Sequence, residues 1–387
     1  MKRLGAILVV CGTLGVAPAF AGSPDPKDLG VPPEELSKAR EFVRRMGSES
    51  YREREDAQAE LAKMGRLARP ALAEAVVGDA DPEIRFRAAR LLPKANAADL
   101  QARIDTFLAD TEGKFDHDLP GLKTFRKHLN GAERDKVRAL YADILKTQYN
   151  VEMFAAMDKG EAEGGRAVAD RRNAMWNDMQ HRPFPPNGKP TQPRQPTLAD
   201  IAALLFAESV VDADSIPKTN AFNGVTGIMF LQQGPSVQAI NGSGAAHADA
   251  YKSIVRQWLT TRTSADELTN LTYQLNPVLK FPEALVLLRR IVTTDGVQGY
   301  AKGQALTLLL QQRGKDGAKD EIPFLKTLMK NDSMVQQIWF ARQNGPPEMH
   351  TCLMKDVALA NLIGLSGGKI TDYGFETPPG LIINPGQ

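Results

Sequence analysis

The sequence is poor in the residues that most often mark chemistry. Its 387 residues include 2 cysteines and 5 histidines, too few thiols for a disulfide-dense scaffold or a four-thiolate zinc site. Charge of one sign is also lacking. The 48 Lys+Arg against 46 Asp+Glu leave a formal +2, which excludes a chain-wide basic field for nucleic acid or acidic membranes. Long apolar runs are missing after the N-terminus, and strand signals are scarce throughout. What remains is ordinary for a globular chain: 42% hydrophobic and 24% charged residues, enough to bury a sizeable core and to exclude wholesale disorder.

The single apolar run comes first. Lys2 and Arg3 precede a short run from Leu4 to Val16, and Ala19-Phe20-Ala21 supplies a small-x-small site, so residues 1–21 read as a signal peptide cleaved between Ala21 and Gly22. The run is shorter than the roughly 20 residues a membrane-spanning helix needs. A soluble, periplasmic or secreted mature chain is expected. Residues 1–21 hold Lys2, Arg3, Cys11 and no acid, so their removal equalises basic and acidic residues and leaves Cys352 alone.

Residues 22–33, with Pro24, Pro26, Pro32 and Pro33, read as a flexible leader. An internal repeat follows at an offset of about thirty residues. Arg54, Ala57 and Leu61 in one segment match Arg85, Ala88 and Leu92 in the next. Ser50, and Asp81 with Pro82 after it, are helix starts. Gly65 and Pro70 separate two helices between them. A small Ala allows a partner helix to approach, and Leu one turn later fills the shared core. One such helix pair cannot bury its apolar stripe alone; stacked pairs can.

Asp81-Pro82-Glu83-Ile84-Arg85 with Ala88, Leu91 and Leu92, and Gly65 with Ala68, Pro70, Ala71 and Leu72, resemble HEAT repeats. The resemblance covers 47–92 well. It is degenerate at Val297, Ala301 and Ala305, where Gln298 stands in place of the arginine, and at Met354, Lys355, Ala358 and Leu362. The tail around Asp356–Ala360 and Asp372–Phe375 is similar to the ending of exported bacterial HEAT-repeat proteins of uncharacterised function. The resemblance implies an armadillo-like α-solenoid in which the matched arginines, Arg54 and Arg85, bond across neighbouring repeats.

Elsewhere the periodicity is helical but less regular. Leu100, Ile104, Phe107 and Leu108 form one stripe, and Val137, Leu140, Tyr141, Ile144 and Leu145 another. Residues 181–196 carry six prolines and no aliphatic residue, which predicts an extended linker or surface loop. Thr197 with Asp200 predicts a capping box opening a buried helix. Residues 222–243 are ambiguous. Further helices are predicted at about 245–261, 265–279, 282–292, 297–312, 320–330 and 353–364. The expected organisation is all-α: a HEAT-like lobe over 34–180, the Pro-rich linker 181–196, a second lobe over 197–366 and an irregular tail 367–387.

Catalytic strings are few. Gly364-Leu365-Ser366-Gly367-Gly368 fits G-x-S-x-G, but it sits at the end of a predicted helix rather than after a strand, and no histidine follows it. Gly368-Lys369 lacks the Ser or Thr of a P-loop, and Gly242-Ser243-Gly244 has His247 where a dinucleotide fingerprint needs glycine. His350-Thr351-Cys352 could join a metal site only if other ligands converged and reads as a buried structural thiol; Asp116-His117-Asp118 could tune an imidazole or hold a divalent ion and reads as a solvated loop. Interleaved acids around Arg52, Arg54, Arg66, Arg69, Arg85, Arg87 and Arg90 indicate solvated helix faces rather than a nucleic-acid surface.

The expectation is therefore a non-enzymatic, exported scaffold for a protein or peptide partner, with no cofactor, metal or nucleic acid. An envelope hydrolase or lyase would require several of Asp116, His117, His247, His350 and Asp372 to converge between the lobes. A structural spacer of a surface layer is the third reading.

Overall fold

The computed structural model describes residues 25–128, 134–180, 194–217, 227–242, 244, 246–340 and 348–375. Among them the chain is helical almost throughout, with one two-stranded sheet. The expected cleavage site at Ala21 and Gly22 lies outside these residues, as do 181–193. The chain divides after Leu119 into two compact units.

The first unit contains α1 (Pro33–Arg45), α2 (Tyr51–Met64), α3 (Arg69–Gly78) and α4 (Pro82–Ala109). Within the expected leader, Pro26–Leu29 forms a 3-10 turn whose Leu29 carbonyl accepts a hydrogen bond from Arg66 at 2.7 Å. The repeat helices begin as their sequence predicts. Ser50 accepts from the Glu53 amide, and Asp81 accepts from the Glu83 amide at 2.8 Å, with Pro82 at the first helical position. Gly65 ends α2 at a φ of 56°, which a side chain would strain. Ala57, Leu61, Leu72, Ile84 and Ala88 share one core with Ala39 and Met46. Leu92 is only partly buried, unlike its counterpart Leu61. The turn after α1 lies close on the start of α4: a Cβ at Gly47 would stand 2.8 Å from Ile84 Cδ1. α4 joins the repeat helix and the Leu100–Leu108 stripe into one element with Pro93 inside it, although proline has no amide to donate there.

The second unit opens with α5 (Leu122–His128), α6 (Arg134–Ile144), α7 (Gln148–Lys159) and α8 (Glu161–Gln180). The polar, glycine-bearing stretch 150–180 is thus two helices divided at Gly160. After the Pro-rich stretch come α9 (Leu198–Val210), α10 (Ile228–Leu231), α11 (Gly234–Asn241) and α12 (Ala248–Thr261). Then follow α13 (Ala265–Thr272), α14 (Pro282–Thr293), α15 (Gly299–Gly317) and α16 (Ile322–Leu328). The helix expected over 265–279 stops at Thr272, and a 3-10 turn at Asn276–Val278 follows, because Pro277 cannot continue the α ladder.

β1 (Met334–Phe340) and β2 (Glu348–Leu353) pair antiparallel before α17 (Met354–Leu365). This hairpin is the one sheet among the described residues of an otherwise helical chain, in keeping with the scarce strand signals. Its seven-residue first strand includes Val335, Ile338, Trp339 and Phe340, all β-branched or aromatic.

α9 is the centre of the second unit, buried from Ala199 to Glu208 and contacting α5, α6, α7, α8, α11 and α12. Phe206 meets Phe125 at 4.7 Å and Phe154 at 5.6 Å between ring centroids, and Phe125 meets Tyr141 at 4.8 Å. Thr197 and Asp200 form the predicted capping box.

Helices α8 and α9, which flank the Pro-rich stretch, belong to the same unit and are fastened by adjacent arginines. Arg171 Nη2 donates to Asp200 at 2.7 Å, and Arg172 Nε donates to Glu208 at 3.0 Å. Cutting the backbone between them should therefore not separate the halves. With a protease site engineered at Gly188, the two fragments are expected to co-elute on gel filtration after complete cleavage. Their separation without denaturant would contradict this packing.

Candidate functional site

The two repeats use their matched arginines identically. Arg54 Nη1 donates to the carbonyls of Ser48 at 2.7 Å and Glu49 at 3.0 Å. Arg85 Nη1 donates to those of Asp79 at 2.7 Å and Ala80 at 3.0 Å. Each guanidinium latches the turn that leads into its own helix, whereas the resemblance implied a bond to the neighbouring repeat. Arg87 makes that inter-repeat bond instead, donating to Glu55 at 2.7 Å and Gln58 at 3.1 Å on α2. Ala57 and Ala88 are buried at the matching positions, where any larger side chain would push the helices apart.

Those latched helices also display aromatic rings to solvent. Tyr51 on α2 is 68% exposed and Phe86 on α4 is 60% exposed. The guanidinium of Arg54 lies 5.7 Å from the Tyr51 ring centroid, and that of Arg90 lies 5.8 Å from the Phe86 centroid. An exposed aromatic ring beside an arginine offers an apolar contact, a cation and fixed donors together, which is the composition of protein-binding hot spots. Tyr51 and Phe86 are not among the residues that the sequence marks for function. The signal was there in each repeat, as an aromatic in the first turns of the helix with an arginine three or four residues on.

The second unit concentrates its polar chemistry in its interior. Glu208 of α9 accepts from Arg172 of α8 and from Trp258 Nε1 of α12 at 2.7 Å, and its main-chain carbonyl accepts from Arg262. Arg262 also donates to Glu267 at 3.1 Å and lies 5.0 Å from the Trp258 ring centroid. Burial raises the Glu267 carboxyl above its ordinary value; the Arg262 charge opposes the rise and Glu208 adds to it. Asp200 ends the other way. Burial pushes it up, but hydrogen bonds from Thr197 and Asn150 and the Arg171 charge outweigh that and hold it below the ordinary carboxylate range. In a third cluster, Glu321 takes Arg289 at 2.6 Å and Arg313 at 2.8 Å.

The residues singled out for catalysis fall in separate settings. His117 is buried, not in a solvated loop: its ring contacts Asp110 at 3.0 Å and packs edge-on against Phe107 at 5.4 Å. Asp110 also accepts from the Lys114 and Phe115 amides. Asp116 beside it is exposed. His247 precedes α12 with a φ of 64°, its Nε2 3.4 Å from Asp143. His350 lies on β2 opposite Ile338, and Asp372 is in a 3-10 turn at Ile370–Tyr373. Ser366 closes α17, its hydroxyl donating to the Ile363 carbonyl at 2.8 Å, with Gly367 at a φ of 83° beyond it. Cys352 is half-buried on β2, and burial with the nearby Asp356 pushes its thiol up to about 11. Among the described residues, no group of three His, Cys, Asp or Glu side chains is placed to hold a metal, and no helix is long and apolar enough to cross a membrane.

No family model, curated protein or solved structure matches the chain.

The Glu267 direction has a consequence for stability. The folded protein holds this proton more tightly than the unfolded chain, whose value is near the ordinary 4.5. The associated stability is present below that value and is lost as pH rises through the higher folded value. Glu267→Gln removes this loss. Thermal unfolding from about pH 4 to 7 is expected to show the variant gaining on the wild type as pH rises. A constant difference would contradict the assignment.

Proposed function

We propose that the protein is an exported, non-enzymatic helical-repeat scaffold of the HEAT type that binds a protein or peptide partner in the cell envelope. The observation that carries this reading is a feature the two latched helices share, although the rings do not stand at matching repeat positions. Each pairs a buried alanine with an exposed aromatic ring beneath an arginine, at Tyr51 with Arg54 and at Phe86 with Arg90. Arg54 serves both the latch and the Tyr51 ring, whereas Arg90 takes no part in the latch, and both rings stay exposed for contact. Stacked helix pairs display such a set along an extended surface, which suits polypeptide partners better than small molecules. The second unit supports the same reading with a further exposed pair, Tyr273 and Tyr300, whose ring centroids lie 6.2 Å apart and nearly parallel. Export rests on the N-terminal address of residues 1–21.

The test compares wild type with a Tyr51→Ala/Phe86→Ala variant by crosslinking in the envelope fraction. Both side chains are exposed, so the variant should keep its unfolding midpoint, while crosslinked partners fall at least about tenfold, as loss of two hot-spot rings implies. An unchanged set of crosslinked partners would overturn the assignment of this face.

A further inference from the structure

The chain has seven tyrosines, all of them among the described residues. Tyr141 and Tyr251 are buried, and Tyr51, Tyr149 and Tyr373 are exposed singly. Tyr273 and Tyr300 alone stack on each other, with ring centroids 6.2 Å apart and planes 17° from parallel. Both are also open to solvent, at 47% and 40% exposure. A pair of phenols that touch each other and meet solvent reagents occurs nowhere else among the described residues.

The backbone holds the two rings together. α13 and the segment that leads into α15 lie side by side, and they meet at each turn of α13. At its start, a Cβ on Gly296 would stand 3.3 Å from the Ala265 Cβ. One turn on, the Gln298 amide donates to Thr269 Oγ1 at 3.2 Å. One turn further, Tyr273 meets Tyr300. The start of α15 is held from another side by β1: Gly299 and Gly303 make room for the Met334 carbonyl and the Val335 side chain, and a Cβ at either glycine would collide with them. Only the rings keep freedom. Tyr273 is the residue after the last helical one of α13, and its ring can turn into solvent without disturbing the core.

We propose that Tyr273 and Tyr300 are a modification site, where a one-electron oxidant of the peroxidase class, fed by hydrogen peroxide, joins them into an intramolecular dityrosine that staples α13 to α15. Burial and the neighbouring Tyr300 push the Tyr273 phenol above its ordinary value, so it starts protonated and its proton leaves with the electron. Each ring gives up one electron and its phenolic proton. The two phenoxyl radicals then couple through the ring carbons beside their oxygens, forming one carbon–carbon bond. The hydrogens on those carbons move to the oxygens and restore both phenols. The chain thus loses two hydrogens in all, and one hydrogen peroxide takes them up as two molecules of water. The link closes a loop that contains the whole of α14. It needs no partner protein and is independent of the binding face at Tyr51 and Phe86.

The experiment treats the purified chain at about 1 µM with a haem peroxidase and hydrogen peroxide; rings on one folded chain meet at an effective concentration in the millimolar range, so coupling within the chain should exceed coupling between chains at least about tenfold. Trypsin then separates residues 263–280, which carry Tyr273, from 291–302, which carry Tyr300. The two are expected as one joined peptide that lacks two hydrogens and shows the blue fluorescence of a biphenol. Tyr300→Phe should abolish it, and Tyr149→Phe should leave it unchanged. The linked chain should unfold at a higher urea midpoint, because the closed loop restricts the unfolded state. Absence of the joined peptide overturns the proposal. So does an equal yield from the urea-unfolded chain, survival of the link in Tyr300→Phe, or a linked chain whose midpoint does not rise.

Discussion

Buried carboxylates held by arginine organise the larger unit. Glu208 is nearly inaccessible, and its side chain and carbonyl together receive Arg172, Trp258 and Arg262 from two other helices. Asp200, two turns earlier on α9, receives Arg171 and Asn150. A charge removed from water is tolerated only when its hydrogen-bonding capacity is filled, so each helix that contributes a donor is fixed in position by the need to fill it. Apolar burial along α9 supplies most of the driving force, but it is non-directional. The carboxylates supply direction, selecting one rotation of α8 and α12 against α9. Arg171 and Arg172 are consecutive, so they leave α8 about a quarter-turn apart and reach acids two turns apart on α9.

The smaller unit depends on a different device. Its helices are drawn together by small residues at Ala57 and Ala88, and each turn is latched by the arginine of the helix that follows it. These bonds are local, so the pattern is visible in the sequence at a fixed offset. That is why the helix starts at Ser50 and Asp81, the break at Gly65 and the buried positions, Leu92 apart, were legible. The proposed export rests on residues 1–21 and the solenoid arrangement on sequence resemblance, and no comparison with known proteins adds to either.

The parts that were not legible depend on contacts distant in sequence. Nothing local distinguishes Arg172 from other arginines until α9 places Glu208 beside it. His117 looks solvated between Asp116 and Asp118, yet Asp110 and Phe107 at the end of α4 enclose it. The hairpin was missed because β1 alone resembles any short apolar run; its partner β2 and the glycines of α15 make it a strand. The aromatic face was missed for the opposite reason. Tyr51 and Phe86 fit helical periodicity, and only their exposure separates them from core.

If the buried acid of α9 orders the unit around it, Glu208→Gln should be costly although it changes almost no volume, because it leaves the partly buried Arg172 and the buried Arg262 beside a neutral amide. Equilibrium urea unfolding measures this most directly. The expected result is a loss of about 3–5 kcal/mol, the usual cost of breaking a buried ion pair, in one cooperative transition. A loss below about 1 kcal/mol, the range of surface pairs, would contradict the claim that Glu208 is the point on which the helices converge.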